Sequence, residues 1–253
     1  MKRSIRWYFA WGIMVAALSM LLFMVTAGPA LAWTQETNEF TDTGSGSGWC
    51  SGMNGQDSSH PCVYWQEPHY TSISLHFNMD PSLHSSQSKG YDFNAAIYTA
   101  FTQYNNVAAW NPYMFQCFTF CQGIVGTYYM TTLLCGNLAH TSYFIGDVKY
   151  GYNPYRGGNE WYAFFISADV QFSNSIFWNN SFDWTQTSCS NEHADGRAAA
   201  THESGHVQGL GHTGDFPSVM SSACLENGHF YQLSTNSDIP AIKAIYRGDQ
   251  QSS

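Results

Sequence analysis

The pattern of hydrophobic and polar positions predicts several strands and one helix between about residues 70 and 172. Residues 72–77 alternate polar and apolar side chains, which is typical of a half-buried strand. In residues 91–107 the apolar side chains recur every three or four positions, which predicts an amphipathic helix. Residues 124–134 and 161–172 are rich in aromatic and β-branched side chains and predict further strands. Between them, residues 146–160 contain many Gly, Tyr and Asn residues and predict a long surface loop.

Two more helices are predicted in the second half of the chain. Residues 195–208 begin with Asp195, a good N-cap, and continue with three alanines that favour helix. Residues 238–246 form the last predicted helix, and Pro240 fits its first turn if Ser237 is the N-cap. Together these elements indicate an α+β fold with a twisted mixed sheet.

One domain is predicted to follow a loop-rich arm. The arm covers residues 33–69, which are rich in Gly, Ser, Thr and Asn and show little periodicity. The domain covers residues 70–250, with an upper part at 70–212 and a small lower part at 213–250 that contains one helix. About 220 residues follow residue 32, and this length is enough to bury the core of a single domain.

A histidine motif lies in the helix predicted at 195–208. It reads His202-Glu203-Ser204-Gly205-His206, followed by His212 six residues later. Side chains four residues apart lie on one face of a helix, so His202 and His206 can present two imidazoles to one metal ion. Gly209 can end the helix and let the chain turn back, which brings His212 to the same ion. Three imidazoles and one water form an open tetrahedral site, as in a catalytic rather than a structural zinc site.

The chain resembles the metzincin metalloproteases, and most of all their matrixin branch. The extended histidine motif is followed eight residues later by Met220, which matches the methionine turn of that family. The resemblance covers about residues 165–246 and implies a metzincin fold with zinc at the floor of a cleft. It implies that Met220 forms an apolar floor under the histidines and that residues 168–172 form the edge strand above the cleft. Ser222 departs from the proline that matrixins usually have two residues after this methionine.

Asp238 has two interpretations. It resembles the aspartate that the family buries beneath the methionine turn. It can equally be an acidic residue that stabilises the helix dipole near an N-terminus.

The implied function is that of a zinc endopeptidase with Glu203 as the general base. Glu203 would take a proton from a zinc-activated water and deliver it to the leaving amine. The substrate, a protein or peptide, would lie extended along residues 168–172 as an added strand. A second metal ion, calcium or zinc, stays open as an alternative, because His140 and Asp147 lie in the matching region although their spacing differs. The competing hypothesis is a binding protein that uses the same scaffold and an aromatic surface, against which the intact Glu203 argues.

The first 32 residues predict a secretory signal peptide, so the protein is expected to be secreted. A positive start precedes an apolar run, and Ala30-Leu31-Ala32 fits a cleavage site before Trp33. The alternative is an uncleaved membrane anchor, since the apolar run is long for a signal. After cleavage no stable membrane association is expected, and the chain is expected to act as a monomer.

The net charge argues against two classes of partner. The first 32 residues hold three of the nine basic residues, which leaves six basic against eighteen acidic residues and a net charge near −12. Nucleic acids and anionic membranes attract clusters of Lys and Arg, so neither is an expected partner.

Cysteine usage fits export, because all seven cysteines lie after residue 32. Cys117 and Cys121 form a group with Cys135 nearby, and Cys50 and Cys62 bracket a Gly- and Ser-rich loop. A Cys189–Cys224 bridge would tie the two walls of the cleft. Seven is an odd number, so at least one thiol stays unpaired within the chain. Cys50 is a candidate for a latency ligand to zinc, but an ordinary disulfide, such as one with Cys62, is the favoured alternative.

Overall fold

A computed structural model describes most of the predicted domain. The described residues are 62–65, 73–109, 111–119, 121–133, 138–153, 158–180, 193–212, 218–220 and 231–246. All of them fall within the compact unit Ala32–Ser253. The predicted signal peptide, the Cys189–Cys224 bridge, Ser222 and most of the arm lie outside the described residues. No helix among the described residues is long and apolar enough to cross a membrane.

Nine strands are described, in chain order. They are β1 (Cys62–Tyr64), β2 (Ser74–Met79), β3 (Tyr113–Cys117), β4 (Ile124–Thr131), β5 (Ala139–Ile145), β6 (Lys149–Asn153), β7 (Gly158–Ser173), β8 (Phe177–Asn179) and β9 (His193–Asp195). Seven of them form one sheet in the order β1-β7-β4-β2-β3, with β5 and β6 also paired to β7. β8 and β9 form a separate parallel pair.

The main sheet is mixed, which confirms the predicted fold class. The pairs β2·β3, β2·β4, β4·β7 and β1·β7 are parallel, whereas β5 and β6 run antiparallel to β7. Strand β2 overlaps the segment predicted from alternation at residues 72–77, and β4 lies within the segment predicted from its composition at residues 124–134.

Among the described residues, three α-helices accompany the sheet: α1 (Phe93–Asn105), α2 (Gly196–Val207) and α3 (Asp238–Tyr246). Asp92 caps α1 and Asp195 caps α2, each by accepting hydrogen bonds from two backbone amides of the first turn. Ser237 precedes α3 as predicted, but its hydroxyl makes no hydrogen bond there, so the predicted side-chain cap is absent at this helix.

Aromatic side chains form the core between the sheet and α1. Phe77 on β2 lies edge-on to Tyr128 on β4, with ring centroids 5.4 Å apart, and Phe101 on α1 packs against both. Phe93 stacks on Phe172 of β7 at 4.3 Å. These rings are buried, and together they hold the sheet at a fixed position over the helices.

The loop predicted at residues 146–160 is wrong for most of its length. Residues 149–153 form β6, and residues 158–160 begin β7, so the two strands make a hairpin. Tyr150 lies opposite Trp161 in this hairpin, with ring centroids 5.2 Å apart. Gly and Asn have low strand propensity, so this segment does not resemble a strand by composition. The cross-strand pairs that stabilise the hairpin cannot be recognised from either strand alone.

The prediction of an edge strand at residues 168–172 is also wrong. These residues belong to β7, which pairs with β4 on one side and with β5 on the other. Beside these residues, the edge position among the described strands is held by β5. The local sequence of a strand does not tell how many neighbours it has, which is why the position was misassigned.

The end of the predicted arm contributes a strand to the sheet. β1 pairs in parallel with β7 through Cys62–Tyr64, and Val63, Tyr64 and Trp65 are buried. The indole Nε1 of Trp65 donates a hydrogen bond to the carbonyl oxygen of Val207, at the end of α2. This part of the arm therefore braces the helix that carries the histidine motif.

A disulfide closes the turn between β3 and β4. It joins Cys117, the last residue of β3, to Cys121. Two members of the predicted cysteine group are thus paired, and the third, Cys135, lies outside the described residues.

Candidate active site

Helix α2 presents His202 and His206 one turn apart on the same face. Its first turn is fixed by Asp195, which caps the helix and forms an ion pair with Arg197 at 2.8 Å. The helix ends at Val207, and Gly209 follows with a φ of 87°, a left-handed conformation that favours glycine. The predicted role of Gly209 is therefore confirmed.

The turn after α2 brings the third histidine to the other two. The Nε2 atom of His202 lies 3.1 Å from Nε2 of His206 and 3.1 Å from Nε2 of His212. The three ligand atoms all lie within 4.8 Å of one another, and the sequence motif is thus assembled in space as predicted.

Hydrogen bonds on the far side of two rings decide which nitrogen faces the centre. Nδ1 of His202 is 2.7 Å from the carbonyl oxygen of Val219, and Nδ1 of His206 is 2.8 Å from that of Leu210. A carbonyl only accepts, so each Nδ1 carries the proton and each Nε2 directs a lone pair inward. Backbone carbonyls of this kind orient metal-binding histidines.

Burial keeps these two imidazoles neutral. It lowers the pKa of His202 well below its ordinary value, and the neighbouring His206 and His212 lower it further. Burial, with His212 adding to it, lowers the pKa of His206 to about 3. Neutral nitrogens that point lone pairs at one another repel unless a cation lies between them. Three imidazole nitrogens fit zinc, so His202, His206 and His212 are the residues that would hold it.

Glu203 lies beside this centre and is held by the edge strand. Its side chain is buried, and Oε2 accepts a hydrogen bond of 2.6 Å from the hydroxyl of Thr141 on β5. Thr141 could not be singled out from the sequence, because 62 residues separate it from Glu203 and the two meet only in the folded chain. The contact fixes one carboxylate oxygen and ties the candidate base to the strand above it.

Comparison with protein families agrees with a metal-binding role for this histidine triad. The family model described as matrixin matches residues 143–247, from within β5 to just past α3. The match supports a matrixin-like metzincin assignment for this part of the chain. No curated protein matches the chain. Matrixins are zinc metalloproteases, so the match supports that class of enzyme, and we call residues 143–247 the matrixin-like region.

The matrixin-like region contains a methionine turn that packs against α2. Met220 is fully buried, and its side chain lies so close to Gly205 that a Cβ at this position would collide with the sulfur. Gly205 stands between His202 and His206 in the motif, so Met220 contacts the helix at the height of the histidines. This contact agrees with the structural role that the resemblance implies for Met220.

Asp238 lies beneath the methionine turn, so the first of its two interpretations is confirmed. Its Oδ1 accepts from the Ser218 hydroxyl, and its Oδ2 accepts from the amides of Val219 at 3.0 Å and Ser234 at 2.7 Å. Burial raises the pKa of Asp238, while these hydrogen bonds act in the opposite direction. The carboxylate thus fixes the turn whose Val219 carbonyl orients His202.

The structure does not bring His140 and Asp147, the residues suggested for a second metal site, into one ligand group with a third residue among those described. His140 lies on β5 opposite Gln171, and Asp147 lies beyond the end of that strand. Among the described residues, the group with three His, Cys, Asp or Glu ligands within reach of one ion is the histidine triad of the matrixin-like region.

Two buried tyrosines that the sequence did not single out also support α2. The hydroxyl of Tyr104 on α1 donates to the carbonyl oxygen of Thr201 at 2.9 Å. The hydroxyl of Tyr128 on β4 is 3.2 Å from that of Ser204. Both looked like ordinary core positions in the sequence, since periodicity shows burial but not what a buried hydroxyl touches.

Proposed function

We propose that the chain is a secreted zinc endopeptidase that hydrolyses internal peptide bonds of protein or peptide substrates. The observation that carries this proposal is the convergence of three imidazole Nε2 atoms beside a buried carboxylate and beneath an edge strand. A purely structural zinc site would fill its fourth position with another Cys or His, and none of the described residues supplies one.

Each part of the site has a chemical role in this proposal. Zinc, when bound, polarises the scissile carbonyl and lowers the pKa of water to about 7. Glu203 accepts the proton of the attacking water and delivers it to the leaving amine. His202 and His206 stay neutral because of their burial, which keeps them available as ligands.

The substrate is proposed to bind along β5 rather than along residues 168–172. β5 pairs only with β7 among the described strands, so its other side is open, and an extended peptide can add to such an edge through backbone hydrogen bonds. Thr141 on this strand contacts Glu203, so a peptide on β5 lies next to the base. Secretion of the chain beginning at Trp33 is part of the same proposal and rests on the signal-like segment at residues 1–32.

The test is cleavage of a reduced and alkylated unfolded protein by purified residues 33–253, with zinc present, compared with Glu203→Ala. We expect the wild-type chain to cleave and the variant to lose at least about a hundredfold in rate, since a positioned general base contributes that much or more. Both proteins should hold one equivalent of zinc by elemental analysis, because Glu203 is not a ligand.

Two outcomes would contradict the proposal. A wild-type chain that binds zinc and cleaves nothing would favour the competing hypothesis of a binding protein on this scaffold. A Glu203→Ala variant that cleaves as fast as the wild type would show that Glu203 is not the base.

A further inference from the structure

The edge that carries Thr141 continues well beyond the histidine triad. β5 and β6 follow each other along the same side of β7, first opposite Phe172–Phe165 and then opposite Tyr162–Gly158. Only residues 146–148 separate the two strands. Of the described strands, β7 is the partner of both, so their outer sides form one long open edge.

The β6–β7 hairpin presents aromatic rings on the face of the sheet that faces the active site. Thr141 lies opposite Val170, and Tyr150 lies opposite Trp161; directly opposed residues share a face. Trp161 lies on the same face as Ala163 and Phe165, which are buried in the core beside Val170. Thr141, Tyr143, Tyr150 and Tyr152 therefore form one row along the edge.

The end of this row is exposed. Tyr143 packs against Phe165 at 5.2 Å, whereas Tyr150 and Tyr152 are 61% and 62% exposed. Tyr150 contacts Trp161 at a centroid distance of 5.2 Å, so these two rings pack against each other. We call Tyr150, Tyr152 and Trp161 the aromatic platform.

We propose that the aromatic platform is a second binding site for the substrate chain, which holds an extended apolar or aromatic segment on the N-terminal side of the scissile bond. This inference rests on the proposed endopeptidase function. The substrate chain is the expected occupant because β5 and β6 form one edge, so a peptide that adds to β5 meets β6 next. Tyr and Trp suit such binding, since they offer large apolar area and lose little conformational entropy.

Strand direction determines which side of the substrate reaches the platform. An antiparallel partner is the more stable addition to an edge strand. β5 and β6 run from Ala139 toward Asn153, so an antiparallel substrate passes β6 first and the Thr141–Glu203 contact later. Counted along β7 from Val170 to Trp161 and Asn159, the platform lies roughly nine to eleven residues before the cut.

The test uses two peptides made from the best cleavage site in a reduced and alkylated unfolded protein. One carries about twelve residues before the scissile bond, enough to span β5 and β6 in extended form, and the other carries about four. The enzyme variants are the double substitution Tyr150→Ser with Tyr152→Ser and the control Tyr98→Ser. Tyr98 lies on α1 and is 64% exposed, so it matches the platform residues in type and exposure.

We expect the wild-type chain to cleave the long peptide about tenfold more efficiently in kcat/KM than the short one, mostly through a lower KM. The double variant should lose this advantage and cleave the short peptide at the wild-type rate, because losing two aromatic contacts costs about a factor of ten in binding. Tyr98→Ser should behave as the wild type. Anisotropy of the labelled long peptide with Glu203→Ala, alone and combined with the double substitution, should show the same loss of affinity without turnover.

Two results would overturn the inference while leaving the protease intact. One is equal kcat/KM for the long and short peptides with the wild-type chain, and the other is a double variant that retains the long-peptide advantage. Circular dichroism of the variants excludes misfolding as the cause of a loss. A wild-type chain that cleaves no peptide or protein would instead overturn the proposed function, and this inference with it.

Discussion

At the residue scale, the hydroxyl of Thr141 is the contact that sets the orientation of the candidate base. It donates to Oε2 of Glu203 at 2.6 Å in a buried setting, and a hydrogen bond to a charged group is worth about 1.5–3 kcal/mol. We expect Thr141→Val, which removes the hydroxyl but keeps the shape, to lower kcat about tenfold or more with little change in KM. Thr141→Ser keeps the donor and should restore most of kcat.

Steady-state kinetics on the three proteins, with zinc content measured in parallel, checks this prediction. A valine variant with wild-type kcat, or a serine variant as slow as the valine one, would remove Thr141 from the catalytic arrangement. A drop in zinc content would point to a general defect of the site.

Gly205 is the second residue whose identity the site requires. A Cβ there would meet the Met220 sulfur in a collision and would lie 2.6 Å from the Tyr104 hydroxyl. We expect Gly205→Ala to lower the free energy of unfolding by about 1–3 kcal/mol, because both neighbours are buried and must shift. Gly146→Ala is the matched control, since a Cβ there has its nearest neighbour at 3.7 Å. Urea unfolding compares the two variants. Equal free energies of unfolding would show that the methionine turn shifts to accept the added Cβ without loss of stability.

At the element scale, the three helices and strands β2 and β4 were predictable because their signals are local. The helix at 195–208 is found at Gly196–Val207, and its cap, its glycine stop and its paired histidines can all be recognised within a few residues. The edge position of β5 and the hairpin of β6 and β7 were not predictable. Both depend on which strand lies alongside, and the partners Thr141 and Val170 are far apart in the sequence.

The short strand β1 is expected to be indispensable although it comes from the predicted arm. Val63, Tyr64 and Trp65 are buried, and each fully buried large side chain contributes about 1.5–3 kcal/mol. Trp65 also satisfies a carbonyl at the end of α2. We therefore expect residues 61–253 to unfold cooperatively with stability near that of residues 33–253, and residues 66–253 to be folded weakly or not at all. Thermal unfolding of the three chains checks this, and a stable, cooperative 66–253 chain would refute the bracing role.

At the scale of the whole molecule, the metal centre joins segments that are distant in the sequence. His202 is oriented by the Val219 carbonyl, the turn that carries Val219 is fixed by Asp238, and Glu203 is fixed by β5. Binding of a cation by the three histidines therefore stabilises the helix, the methionine turn and α3 together, because it favours only the folded state. Chelation of the metal is expected to lower the stability of the entire domain.

The metal-free domain is expected to lose stability as the pH falls below the ordinary histidine pKa. In the folded state burial lowers the pKa of His206 to about 3 and that of His202 in the same direction. The unfolded chain thus binds more protons between these values and about 6.5, and stability declines with falling pH in that window. His206 alone should contribute a loss of about 2 kcal/mol between about pH 7.5 and about pH 5.

Asp238 acts in the opposite direction because its pKa is raised, so the comparison needs a variant that changes only the histidine contribution. Urea unfolding of the metal-free wild type and of metal-free His206→Gln at the two pH values provides it, and the pH-dependence should shrink by about 2 kcal/mol or more in the variant. If the variant kept the full pH-dependence, the acid sensitivity would arise outside the histidine triad.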